Sequence, residues 1–127
     1  FSSLPPILII QLKRFIYKND HHHNLELHKI NRPIRISKKL QLSQNSQPYT
    51  YHLYALVNHH GSSLNSGHYT ATINKDGDAS SWLTFDDDFR IQELDLYGIE
   101  SVLNKNSSAY LLFYSRLSVN MSELGAV

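Results

Sequence analysis

Two short runs of this chain hold residue types that do acid–base chemistry: Ser66-Gly67-His68-Tyr69-Thr70-Ala71, and Trp82-Leu83-Thr84-Phe85-Asp86-Asp87-Asp88. An imidazole titrates close to neutrality, so it can take a proton from a nucleophile and return it to a leaving amine. A carboxylate on its other ring nitrogen fixes the tautomer and stabilises the imidazolium that forms. That is the chemistry of peptide or isopeptide cleavage. The serines nearby, Ser62, Ser63 and Ser66, lie in no elbow motif that would expose a hydroxyl nucleophile. The chain also contains no cysteine, so a thiolate nucleophile must come from a segment or chain outside these residues.

The elements that must position the pair are two strand-like runs, His68 to Asn74 and Ser80 to Asp86, joined by Lys75-Asp76-Gly77-Asp78-Ala79. The Asp-Gly step signals a hairpin. If the hairpin is regular and centred on Gly77, His68 faces Asp86 directly, with Cβ atoms about 4.5–5.5 Å apart. Parity then sets Thr70, Thr72, Trp82 and Thr84 on the dyad's face and Tyr69, Ala71, Ile73, Leu83 and Phe85 on the other. A bulge would exchange faces and favour Asp87, so Asp86 ranks first and Asp87 second. Gly67, lacking a Cβ, lets an extended substrate backbone pass close to His68.

The rest of the chain reads as more strands. Ile7 to Tyr17 is rich in β-branched and aromatic residues behind Pro5-Pro6 and predicts a largely buried central strand. Lys18 to Asn24 predicts a solvated loop, Leu25 to Ile30 and Ile34 to Ser37 two short strands, and Leu42 to Pro48 a mobile loop. Tyr51 to Asn58 is the clearest strand, with Tyr51, Leu53, Ala55 and Val57 on one face. His59 to Gly67 reads as the loop that delivers His68, which makes His59 and His60 loop residues. Phe89 to Ile91 predicts another strand, Glu93 to Leu103 a short helix interrupted by Gly98, and Ala109 to Tyr114 a buried strand. Many strands and little helix define an α+β fold, mainly antiparallel β.

Composition excludes several classes of function. The 127 residues suffice for one domain with a core, and the formal charge of +1 comes from mixed signs with no basic stripe, so nucleic acid is not an expected partner. No apolar run approaches the roughly 20 residues that span a bilayer, so no membrane partner is expected either. The absence of cysteine removes disulfides and thiolate zinc sites. His21-His22-His23 with His28 supplies imidazoles, but adjacent residues seldom converge on one ion and no carboxylate spacing supports them. No metal site and no cofactor are therefore expected. Phe1 to Pro6 has neither an initiating Met nor a charged leader and reads as the cut end of a larger protein.

Four blocks in order, Leu4 to Phe15, Tyr54 to His59 leading into Ser66 to Ala71, Trp82 to Asp87, and Ser108 to Tyr114, resemble the C-terminal half of a ubiquitin-specific protease domain. The resemblance implies a papain-like cysteine isopeptidase, with residues 1–116 supplying the palm portion and residues 117–127 a flexible tail. His68 matches the family's general base, Asp86 its orienting acid and Asp87 an assisting neighbour. Gly67, Tyr69 and Tyr110 match positions that line the channel for the ubiquitin C-terminal tail, although Tyr69 and Tyr110 read equally well as packing residues. The loops Leu42 to Pro48 and His59 to Ser66 match the two that flank that channel. Implied partners are ubiquitin or ubiquitinated proteins and the N-terminal, Cys-box part of the catalytic domain, in cytoplasm or nucleus. The Cys box, the upstream oxyanion asparagine and the zinc-binding cysteines of the fingers are absent, so the chain alone is expected to be inert.

Two other readings use the same residues. A scaffold could keep this fold to bind ubiquitin or a partner protein with no thiolate anywhere, and an unrelated β-rich binding module would separate His68 from Asp86.

Overall fold

The computed structural model describes residues 3–61, 67–75, 77, 81–87 and 89–116. The tail expected over residues 117–127, most of the loop before Gly67, Asp88 and most of the turn around Gly77 lie outside them. Strand-forming residues dominate the described residues: β1 (Ile7–Gln11), β2 (Phe15–Asn19), β3 (Leu25–Lys29), β4 (Lys39–Gln44), β5 (Gln47–His60), β6 (His68–Asn74), β7 (Trp82–Asp86), β8 (Phe89–Leu94) and β9 (Ala109–Ser115), with a helix, α1 (Leu96–Asn104), between β8 and β9. All strand pairings are antiparallel, in the order β1-β9-β5-β6-β7-β8. β4 pairs with the first part of the long β5, and β2 and β3 form a separate ribbon. The fold is α+β, mainly antiparallel β.

One face of the large sheet is closed by α1 and the segment around Ile36. Leu8, Leu56, Trp82, Leu112 and Tyr114 meet Ile99 and Leu103, which stand one helical turn apart. Each such buried side chain contributes about 1.5–3 kcal/mol of transfer free energy. Asp95 caps α1, its Oδ1 accepting from the backbone N of Gly98 at 2.8 Å.

Several local expectations are overturned. Ile7 to Tyr17 is not one central strand: β1 pairs only with β9 at the sheet edge, and the chain leaves the sheet at Leu12 to start the β2–β3 ribbon. Arg14 is the cause. Its buried guanidinium donates to the carbonyls of Ala109, Asn106 and Arg32, at 3.1, 2.9 and 2.6 Å, which requires the chain to fold inward there. Ile34 to Ser37 forms no strand. It makes a single bridge, Ile34 and Asn106 exchanging both backbone hydrogen bonds at 2.9 and 2.8 Å, and Ile36 N then donates to the Leu103 carbonyl at 2.8 Å, which turns the segment onto α1.

Leu42 to Pro48 is a tight hairpin between β4 and β5, its register running from Gln44↔Gln47 to Lys39↔His52. Asn45 and Ser46 both take left-handed φ, 52° and 64°, the two-residue turn whose twist matches antiparallel strands. Within β5, an irregularity between Leu53 and Ala55 makes Tyr54 an extra residue. The core-facing set therefore passes from Tyr51 and Leu53 to Leu56 and Asn58, and Tyr51, Leu53, Ala55 and Val57 do not share one face.

Candidate active site

β6 begins at His68 and β7 ends at Asp86, so both side chains stand at the same end of one ribbon. His68 Nε2 lies 2.5 Å from Asp86 Oδ1. The two side chains are 51% and 35% exposed, which leaves the imidazole reachable. Among the described residues no other hydrogen bond reaches the His68 ring, so Nδ1 is open to a second partner.

The register that brings them together differs from the one expected. Ala71 faces Phe85 and Asn74 faces Trp82, which centres the ribbon one position later than Gly77. Extended by one step, the register sets Asp86 beside Thr70, as a diagonal neighbour of His68 and not its direct opposite. Diagonal pairs are about 7–8 Å apart at Cα, a gap an imidazole and a carboxylate close between them. Parity is unchanged by a shift of one position in the centre, so both groups stay on one face.

Asp87 behaves differently. Its φ of 54° sets it in the left-handed region in the turn to β8, exposed, and no contact joins it to His68 among the described residues. The irregularity of β7 lies on its β8 side, between Thr84 and Phe85, and the β6–β7 ladder is regular.

Behind the dyad, on the same face, runs a polar ladder. His60 Nε2 is 3.0 Å from Thr70 Oγ1. Asn58 Nδ2 donates to Thr70 Oγ1 and Thr72 Oγ1 at 3.2 and 3.3 Å, and Thr72 Oγ1 is 3.1 Å from Thr84 Oγ1. Asn58, Thr70, Thr72 and Thr84 are buried, and buried polar groups satisfied in this way hold their strands in one register.

The opposite face gathers Gly67, Tyr69 and Tyr110 around a residue the sequence reading assigned to a loop. His59 is 1% exposed, near the end of β5, with ring centroids 5.0 Å from Tyr69 and 5.3 Å from Phe15. Tyr69 and Tyr110 approach to 6.4 Å, and Tyr69 remains 43% exposed. A second irregularity in the β5–β9 ladder, between Val57 and Asn58, leaves Tyr110 as the extra residue, aimed into this cluster. Lys29 Nζ donates to the His59 carbonyl at 2.6 Å, and burial, helped by the Arg14 charge, lowers its pKa. His59 and His60 are strand residues. Continuing the two-residue alternation past Val57 would have set His59 beside it.

Comparison with solved structures places this architecture. The chain superposes on the yeast SAGA DUBm carrying an Sgf73 mutant with a TM-score of 0.69 and 30% identity, over 92% of this chain and 26% of that one. It superposes on the SAGA Ubp8/Sgf11/Sus1/Sgf73 DUB module bound to ubiquitin aldehyde with a TM-score of 0.68 and 28% identity, over 92% and 26%. The sheet is thus the palm portion of a papain-like cysteine protease fold.

Residues 1–114 match the family model described as ubiquitin carboxyl-terminal hydrolase, and the chain belongs to that family. It is 43% identical over 120 residues to ubiquitin carboxyl-terminal hydrolase 5 of Arabidopsis thaliana, covering 91% of this chain and 12% of the relative. It is 38% identical over 119 residues to ubiquitin hydrolase B of Dictyostelium discoideum, covering 90% and 23%. The chain thus spans a quarter or less of the length of these relatives. The family's chemistry is that of a thiol-dependent deubiquitinating hydrolase. No helix among the described residues is long and apolar enough to cross a membrane.

Proposed function

We propose that this chain is the part of a deubiquitinating thiol isopeptidase that supplies the general base, His68, and its orienting acid, Asp86, to a cysteine outside these residues. What carries the reading is the 2.5 Å approach of His68 Nε2 to Asp86 Oδ1, which leaves Nδ1 as the ring atom to serve the thiol. In this reading Nδ1 takes the proton of the external thiol. The thiolate attacks the carbonyl carbon of ubiquitin's terminal glycine, and the imidazolium, steadied by Asp86, protonates the amine that leaves as the thioester forms. Water then attacks the thioester with His68 again as base. Gly67, Tyr69 and Tyr110 are proposed to border the path of the ubiquitin tail, with Asp87 in a supporting position beside the acid. The Cys-box part of the domain and ubiquitin or ubiquitinated proteins are the proposed partners, in cytoplasm or nucleus.

A scaffold reading keeps the same residues with no thiolate for His68 to serve. The two separate with a ubiquitin whose C-terminus carries a thiol-reactive group, applied to the full protein that contains this chain. Covalent capture supports the enzyme; binding without capture supports the scaffold. In a captured protein, His68→Ala is expected to lower kcat/KM on a ubiquitin C-terminal amide reporter by about 10³-fold or more. Full turnover of that variant would remove His68 as the base.

A further inference from the structure

β5 and β6 set a second imidazole directly across from His68. His60 is the register partner of His68, so both side chains rise from the same face of neighbouring strands. Its Nε2 is held at 3.0 Å from Thr70 Oγ1, and that hydroxyl already accepts from Asn58 Nδ2. With one lone pair taken by Asn58, the Thr70 hydroxyl keeps its second lone pair and its own proton, so a neutral His60 can meet it at Nε2 in either tautomer. A protonated His60 has no acceptor atom and can only donate, and it sets a second positive charge beside the ring that must become imidazolium during turnover.

We propose that His60 is a positioning residue for the His68–Asp86 dyad that works only while uncharged, so that its protonation in acid disables the site independently of His68 itself. This rests on the proposed role of His68 as base. The charged and titratable groups that act on His60 are Lys29 from β3, His68 from β6 and Asp86 from β7. Desolvation is the largest influence and lowers its pKa from the ordinary imidazole range. Lys29 and His68 lower it further, and Asp86 opposes them. His60 is therefore held neutral at neutral pH and takes its proton only in acid.

The test is the pH profile of kcat/KM for the full protein containing this chain, on a ubiquitin C-terminal amide reporter, each variant normalised to its own plateau. Glutamine at this position keeps an oxygen that can accept from Thr70 and cannot be protonated. The wild-type acid limb is expected to steepen toward about two decades per pH unit, and His60→Gln to give about one and to reach lower pH. Superimposable limbs would overturn the proposal while leaving His68→Ala to judge the base separately. A direct readout, independent of activity, is the NMR titration of both imidazoles in the wild-type protein. The His60 ring is expected to titrate below the ordinary imidazole range, with a curve that moves when His68 is replaced by glutamine. A His60 curve in or above that range, or one unmoved by that replacement, would overturn it.

Discussion

A Cβ on Gly67 would stand 2.1 Å from His59 Nε2 and 2.9 Å from the His60 carbonyl oxygen. The glycine before His68 is thus required by a buried ring inside the protein, whatever a substrate backbone needs there. Gly67→Ala must push His59 out of its contacts with Tyr69 and Phe15, and the expected loss is about 1–3 kcal/mol by denaturant unfolding. Pairing it with His59→Ala should recover most of that increment in a double-mutant cycle. Strict additivity of the two changes would contradict the contact.

Arg14 holds the start of β9, the Asn106 turn and the segment at Arg32 through one guanidinium that is 4% exposed. A lysine supplies the charge but not the planar fork, and would leave buried carbonyls unpaired. Arg14→Lys is expected to cost about 2–4 kcal/mol of stability. A change under about 0.5 kcal/mol in the denaturation midpoint analysis would show that these carbonyls have other partners.

Tyr114 gives the stability its alkaline edge. Burial pushes its phenol up to about 12, and its hydroxyl donates to the Ser37 carbonyl at 2.6 Å. Between the ordinary phenol value near 10 and about 12, the folded state holds a proton that the unfolded state has lost. The contribution is complete below pH 10 and is lost as pH rises toward 12. Urea unfolding should therefore show stability falling through that window. Tyr114→Phe should flatten the fall, leaving the smaller share of Tyr54, which burial also raises. An unchanged slope in the variant would contradict this.

Ser46 carries a left-handed φ of 64° in the β4–β5 turn. A residue with a Cβ is strained there and glycine is not, while the glycine's extra unfolded-state entropy offsets part of the gain. Ser46→Gly is expected to stabilise by about 0.5 kcal/mol in thermal or chemical unfolding. Destabilisation would mean that the turn is not of this type.

How far the fold could be read from sequence depended on whether a segment's pairing left a local trace. The alternation in His68 to Asn74, and the apolar run from Ala109, survive in β6 and β9 because each is patterned by the core it covers. The Leu42 to Pro48 segment does not read as a hairpin because the residues next to its turn, Ser43, Gln44, Gln47 and Pro48, are not apolar and the turn is Asn-Ser, without the glycine that marks such turns. Arg14 ended a strand for reasons that lie some ninety residues away, at Asn106 and Ala109. The approach of His68 to Asp86 follows from parity, which survives a shifted centre, whereas direct opposition requires the centre at Gly77 that the ribbon does not have. His59 and His60 sit among Gly, Ser and Asn neighbours that signal a loop, and only the period carried on from Val57 placed them in β5.

The sharpest test of the account sets the two adjacent carboxylates against each other. In the full protein containing this chain, Asp86→Ala is expected to lower kcat/KM on a ubiquitin C-terminal amide reporter by about 10²–10⁴-fold, and Asp87→Ala by only a few-fold. The reverse ranking, or full activity in both variants, would contradict the claim that Asp86 steers His68.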